Sequence, residues 1–159
     1  MFRQLAASTI GVLKKLFETP PPPPELKIEH PQFGTMAFHY NECTWTGSVQ
    51  SGENVYEVII DGDTSGPDAE PLSYAEERME QLPEIESRIR KFLSDYIEPL
   101  KEDSLKIALT DFVITSFDFC EFRVKRRSIW VCLELSWDTY GSWRMEYFDN
   151  EIRDFGRDS

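Results

Sequence analysis

Only three cysteines and two histidines occur among the 159 residues, and neither set is spaced for the chemistry these residues usually serve. Cys43, Cys120 and Cys132 form no CxxC pair, and an odd count leaves one thiol over in any disulfide scheme, so reduced thiols in a cytoplasmic protein are expected. His30 and His39 lack the second Cys/His pair that a zinc site requires. Glycines number eight, and no GxGxxG, P-loop or GxSxG can be read from them, which removes the usual signatures of dinucleotide, phosphate and acyl-transfer chemistry. No run approaches the ~20 apolar residues of a membrane-crossing helix. Bases are scarce as well: 17 Lys and Arg stand against 29 Asp and Glu, a net charge of -12. Such a field repels nucleic-acid phosphates and anionic lipids and attracts basic proteins.

What is present is enough to fold. Hydrophobic residues make up 40% of the chain and aromatic residues 13%, a composition that suits one domain with a sizeable core. The negative charge is concentrated: between Asp61 and Asp103 there are 13 acidic and 5 basic residues, which carry -8 of the net -12. Solubility alone explains an acidic total; the concentration makes a docking surface worth proposing.

The organisation has three parts. Residues 1–18 space Phe2, Leu5, Ile10, Leu13, Leu16 and Phe17 as an amphipathic helix, and Lys14 and Lys15 directly after its apolar run argue against a secretory leader. Residues 19–25, with Pro20 to Pro24, form a polyproline spacer. Residues 26–159 are a single α+β domain, a mostly antiparallel sheet with two central helices packed on one face. Three strands in a meander are expected over "TMAFHY", "CTWTGSV" and "NVYEVIID". Ser73-Tyr74-Ala75-Glu76 reads as a capping box opening the first central helix, and Pro83 suits the first turn of the second. "DFVITSF", "CEFRV", "IWVCLELSW" and "WRMEYF" return to strand pattern, with "KRRS" and "DTYGS" as turns.

Asp61-Gly62-Asp63-Thr64-Ser65-Gly66 begins like a calcium loop, with oxygen donors at positions 1, 3 and 5 and glycine at 6. The twelfth position, where an EF-hand needs a bidentate carboxylate, is Leu72, and a strand precedes the loop in place of a helix. Turn chemistry explains the run: two glycines and Pro67 redirect the chain while Asp and Ser bond their own backbone. No metal, cofactor or catalytic residue is expected. The candidate partner-binding residues are Asp61, Asp63, Asp68, Glu70, Glu76, Glu77 and Glu80, joined by Trp137 and Tyr140 as aromatic anchors beside a turn.

"HPQFGTM" (residues 30–36), "WTGSV" (45–49), "IDGD" (60–63), "SWDTYG" (136–141) and "IRDFGRDS" (152–159), in this order, resemble a family of small bacterial domains of unknown function. The likeness spans residues 26–158. The chain departs from the family pattern at "WDTYG", which lacks a Glu-His pair, so any site built on that histidine is absent here. Such small acidic domains are often encoded beside bacterial toxins, and the resemblance implies an immunity protein that neutralises a cognate basic toxin by covering its active site. A fold or family likeness supplies no mechanism by itself. The alternatives are a small metal-dependent or Cys/His hydrolase using His30, His39 or the Asp61/Asp63 carboxylates, and an adaptor docking through its N-terminal helix.

Overall fold

A computed structural model of the chain describes residues 22–97, 112–120, 124–135 and 141–157. The expected helix over 1–18, the first three residues of the spacer, Trp137 and Tyr140 all lie outside the described residues. The described residues form a nine-stranded, mostly antiparallel sheet and two helices. β1 (Lys27–His30), β2 (Gly34–His39), β3 (Thr44–Ser51) and β4 (Asn54–Asp63) run as a meander, and the two-residue β5 (Gly66–Pro67) folds back on the end of β4. α1 (Ala69–Glu80) and α2 (Leu82–Ile97) follow, then β6 (Phe112–Phe119), β7 (Ser128–Leu135), β8 (Ser142–Phe148) and β9 (Glu151–Arg157). The order across the sheet is β1-β2-β3-β4-β6-β7-β8-β9. Among the described strands only β4 and β6 pair in parallel, and the two helices belong to the long crossover such a pair requires.

Period-two alternation decides which sheet face the helices cover. Tyr56, Val58 and Ile60 of β4 point the same way as Trp45 and Val49 opposite them on β3, and as Phe117 and Phe119 on β6. Ile129, Val131, Leu133, Met145 and Tyr147 continue that face across β7 and β8. These side chains share one core with Tyr74, Ala75 and Met79 of α1 and with Leu82, Ile85, Ile89 and Leu93 of α2. A register shift between Ile114 and Ser116 adds one residue to β6 and lets Ile114 and Phe117, three apart, both be buried in that core. Among the described residues no helix covers the other, open face, which carries Thr44, Thr46, Glu57, Ile59, Asp118 and Trp130.

Gly47 is where close approach demands glycine. A Cβ there would stand 2.9 Å from Phe33 and Met36, so its absence lets the β1–β2 turn lie against β3, with the Ser48 amide donating to the Phe33 carbonyl at 3.0 Å.

Three sequence expectations are corrected. α1 begins at Ala69, four residues before the supposed capping box, so Ser73 lies inside the helix and Glu76 caps nothing. Pro71 falls in the first turn, where amides have no intrahelical acceptor to lose, so the helix extends back through it to Asp68, whose carbonyl takes the Leu72 amide at 3.0 Å. "CEFRV" does not make a strand over its described residues, Cys120 and Val124: Cys120 follows β6, and the Val124 amide donates back to the Cys120 carbonyl at 3.0 Å, a bond an extended run would not allow. The sheet also carries two edge strands, β1 and β9, beyond those expected. Asp149 and Asn150, both at positive φ (44° and 67°), make the two-residue turn into β9.

Candidate functional site

α1 divides its charges by direction. Pro71, Tyr74, Ala75, Arg78 and Met79 face inward, and Glu70, Ser73, Glu77 and Glu80 form an exposed stripe at helical spacing. The only base of the helix, Arg78, is turned into the protein and is 5% exposed. Its Nε donates to the Tyr74 hydroxyl at 3.0 Å and an Nη to Gln81 Oε1 at 3.2 Å, while the guanidinium lies 5.1 Å from the Tyr74 ring centroid. The Tyr74 hydroxyl in turn donates to the Arg127 carbonyl at 2.7 Å, tying α1 to the β6–β7 turn. Between helix and turn lies a cleft of about 430 Å³, with Glu70, Ser73, Tyr74 and Glu77 on one side and Val124, Lys125 and Arg127 on the other.

Helix physics does not call for this arrangement. Glu70 is favourable near the N-terminus, but Glu77 and Glu80 face the negative end of the dipole and repel each other at i, i+3. Among the described residues no ion pair engages Glu70, Glu77 or Glu80.

The remaining candidates are put to other uses. Glu76 faces the β1–β2 turn, where Oε1 lies 3.4 Å from His30 Nε2 and its backbone carbonyl accepts from Gln32 Nε2 at 3.3 Å. Asp63 holds a turn: its Oδ1 accepts from the Ser65 hydroxyl and from the Ser65 amide at 2.7 Å, bonds that keep its carboxyl below the usual carboxylate range, the hydroxyl contributing most. The Asp63 carbonyl accepts from Trp45 Nε1 at 2.9 Å. Gly62 sits so tightly beneath this turn that a Cβ would meet the Gly66 carbonyl at 2.4 Å. Asp61 is half-buried on β4 opposite Thr44, and its carbonyl takes the Asp68 amide at 2.8 Å. Asp68 is exposed at the start of α1 and makes no side-chain cap. The structure thus brings Glu70, Glu77 and Glu80 together, sets Asp68 at their N-terminal end, and diverts Asp61, Asp63 and Glu76. The residue that sequence reasoning passed over is Arg78. Its place on the 71, 74, 75, 78 inward stripe was the available signal.

The two histidines of the hydrolase alternative lie in different surroundings. His30 is 12% exposed in its side chain and stacks on Phe33 at 4.8 Å; Nδ1 faces the Gln32 and Phe33 amides, both at 3.3 Å, and Nε2 faces Glu76. Both nitrogens are occupied by the fold. His39 lies with Glu42, Glu57, Asp118, Thr44, Thr46 and Ile59 along a cleft of about 460 Å³ on the open sheet face. Exposed Cys43 has its Sγ 3.8 Å from the Tyr40 carbonyl. Among the described residues no group of three or more His, Cys, Asp or Glu is placed to hold a metal ion, and no helix is long and apolar enough to cross a membrane.

These features define an α+β domain that displays an acidic helix. No protein-family model, curated protein or solved structure matches the chain, so the resemblance noted above stands on its motifs alone.

Proposed function

We propose that this protein is a non-enzymatic binding domain that presents the outward stripe of α1 to a basic protein. The observation that carries the reading is the partition of charge on α1: every carboxylate but Glu76 is exposed with no ion-pair partner among the described residues, and the single base is buried. A rigid row of carboxylates steers a cationic partner into place and pairs with its Lys and Arg on contact. The motif resemblance supports a cognate bacterial toxin as that partner, neutralised by occlusion of its active site in the cytoplasm. Trp137 and Tyr140 remain the proposed aromatic anchors.

The test is capture of partners on the tagged full-length protein at low salt, beside the Glu70→Lys/Glu77→Lys/Glu80→Lys variant. The expected result is a basic protein held by the wild type, released by raised salt and lost by the variant, with association slowing as ionic strength rises. Equal capture by the variant, or a salt-independent on-rate, removes α1 from the interface.

A further inference from the structure

The two ends of the sheet are finished differently. β1 has four residues and is hemmed by Pro22 to Pro24 before it and Pro31 after it, the usual means of blunting an edge. β9 has seven residues and no proline, and among the described residues no strand lies along its outer side.

β9 also carries an extra residue. Glu146 is opposite Asp154 and Tyr147 is opposite Ile152, so Arg153 has no counterpart on β8. The bulge sets Ile152 and Phe155, three apart, on the helix-covered face, opposite the buried Tyr147 and Met145. Arg153 and Asp154 are both on the open face: Asp154 lies opposite Glu146, and the Arg153 guanidinium sits 3.5 Å from the ring centroid of Phe148, the neighbour of inward-facing Tyr147.

Beside the edge, on the helix-covered face, runs an aromatic rim. Phe155 lies 5.2 Å from Tyr96, 5.8 Å from Phe92 and 5.1 Å from Trp143, and Tyr96 remains 49% exposed. A cleft of about 230 Å³ continues the rim, lined by Arg88, Lys91, Phe92, Asp95, Asn150 and Ile152.

A second β9 laid antiparallel along this edge, about a two-fold axis normal to the sheet, keeps every side chain on its own face. Opposed residues must therefore point the same way. Centred between Arg153 and Asp154, this register puts Ile152 opposite Phe155 and Arg153 opposite Asp154, each pair occurring twice by symmetry. In a regular strand, residues an odd number apart point to opposite faces and the register is forbidden; the extra residue allows it. A slip of one position sets Arg153 against Arg153 or Asp154 against Asp154. A bulge ordinarily blunts an edge against a foreign strand. A strand with the same extra residue in the same place matches it, which singles out another copy of this chain. We infer that the protein forms a two-fold dimer through β9, extending the sheet across the axis and covering the aromatic rim of α2.

Sedimentation of the full-length protein across the micromolar range tests this. The expected result is a concentration-dependent dimer whose dissociation constant rises roughly tenfold or more in Arg153→Asp, and likewise in Asp154→Arg, because each places like charges opposite one another twice. Arg153→Asp/Asp154→Arg together exchange the charges and restore wild-type dimerisation. Tyr96→Lys weakens the dimer from the helix side, independently of the bulge. Both β9 residues are exposed, so melting curves should show the variants folded. A monomer at every concentration overturns the inference, as does a dimer in which the double variant is at least as impaired as either single one.

Discussion

α1 and α2 are consecutive helices packed against the same sheet face, yet they treat charge in opposite ways. α1 has four carboxylates and one base, displays most of the acids and buries the base. α2 has three acids and three bases, pairs Glu84 with Arg88 at 2.7 Å on its surface, and turns a carboxylate, Glu86, toward the sheet. On α2 the charges are balanced, with an i, i+4 pair in the favourable order. The departure of α1 from that pattern, on the neighbouring element and in the same solvent, is what the proposed docking surface rests on.

The comparison requires the two helices to be held equally firmly, because an acid stripe on a loose helix is not a display. Met79 of α1 is 4% exposed and Ile89 of α2 is fully buried in the same core. Met79→Ala and Ile89→Ala are each expected to cost about 2–5 kcal/mol by equilibrium denaturation. A cost below about 1 kcal/mol for Met79→Ala alone would show α1 to be loosely seated and break the comparison.

The inward charge of α2 gives the next largest effect. The Tyr56 hydroxyl donates to Glu86 Oε1 and the Ser51 hydroxyl to Oε2 at 3.2 Å. Burial first, and then the hydrogen bond to Glu86 and its charge, push the Tyr56 pKa from 10.0 up to about 12. The folded protein therefore keeps a proton that the unfolded chain gives up above pH 10. This contribution is intact below pH 10 and is lost as pH rises to about 12, a loss of about 2–3 kcal/mol from this one group. Tyr56→Phe should flatten the stability curve over that window relative to the wild type. Parallel curves for the two proteins would mean that burial and Glu86 together do not hold Tyr56 protonated.

Much of this architecture was legible in the sequence, for identifiable reasons. The β2–β4 meander and both helices carry clear periods, and the 61–66 run behaves as the turn its glycines and Ser65 implied. The start of α1 was misplaced because Ser73 and Glu76 fit a capping motif, and that motif outweighed the first-turn signal that Pro71 carries. β9 was missed because its bulge breaks the alternation by which strands are recognised: Ile152 and Phe155 stand three apart, a helical spacing. Of the acidic candidates, sequence identified the residues but not their directions. Glu76 and Glu77 are neighbours in the chain, and only the packing of α1 sends one to His30 and the other to solvent.

The smallest effects test the comparison most directly, because their signs differ between the helices. Glu80 stands in the last turn of α1, next to the negative end of its dipole and four residues from Glu76. Glu80→Lys is expected to raise stability by a few tenths of a kcal/mol while weakening capture of a basic partner. Arg88 is bonded to Glu84 and donates to the Asn150 carbonyl at 3.0 Å, so Arg88→Glu should lower the melting temperature and leave capture unchanged. Stability and binding then move apart on α1, while stability alone moves on α2. A Glu80→Lys variant that is both less stable and equally competent in capture would place that carboxylate among the ordinary structural charges, and the acid stripe would have to be explained by solubility.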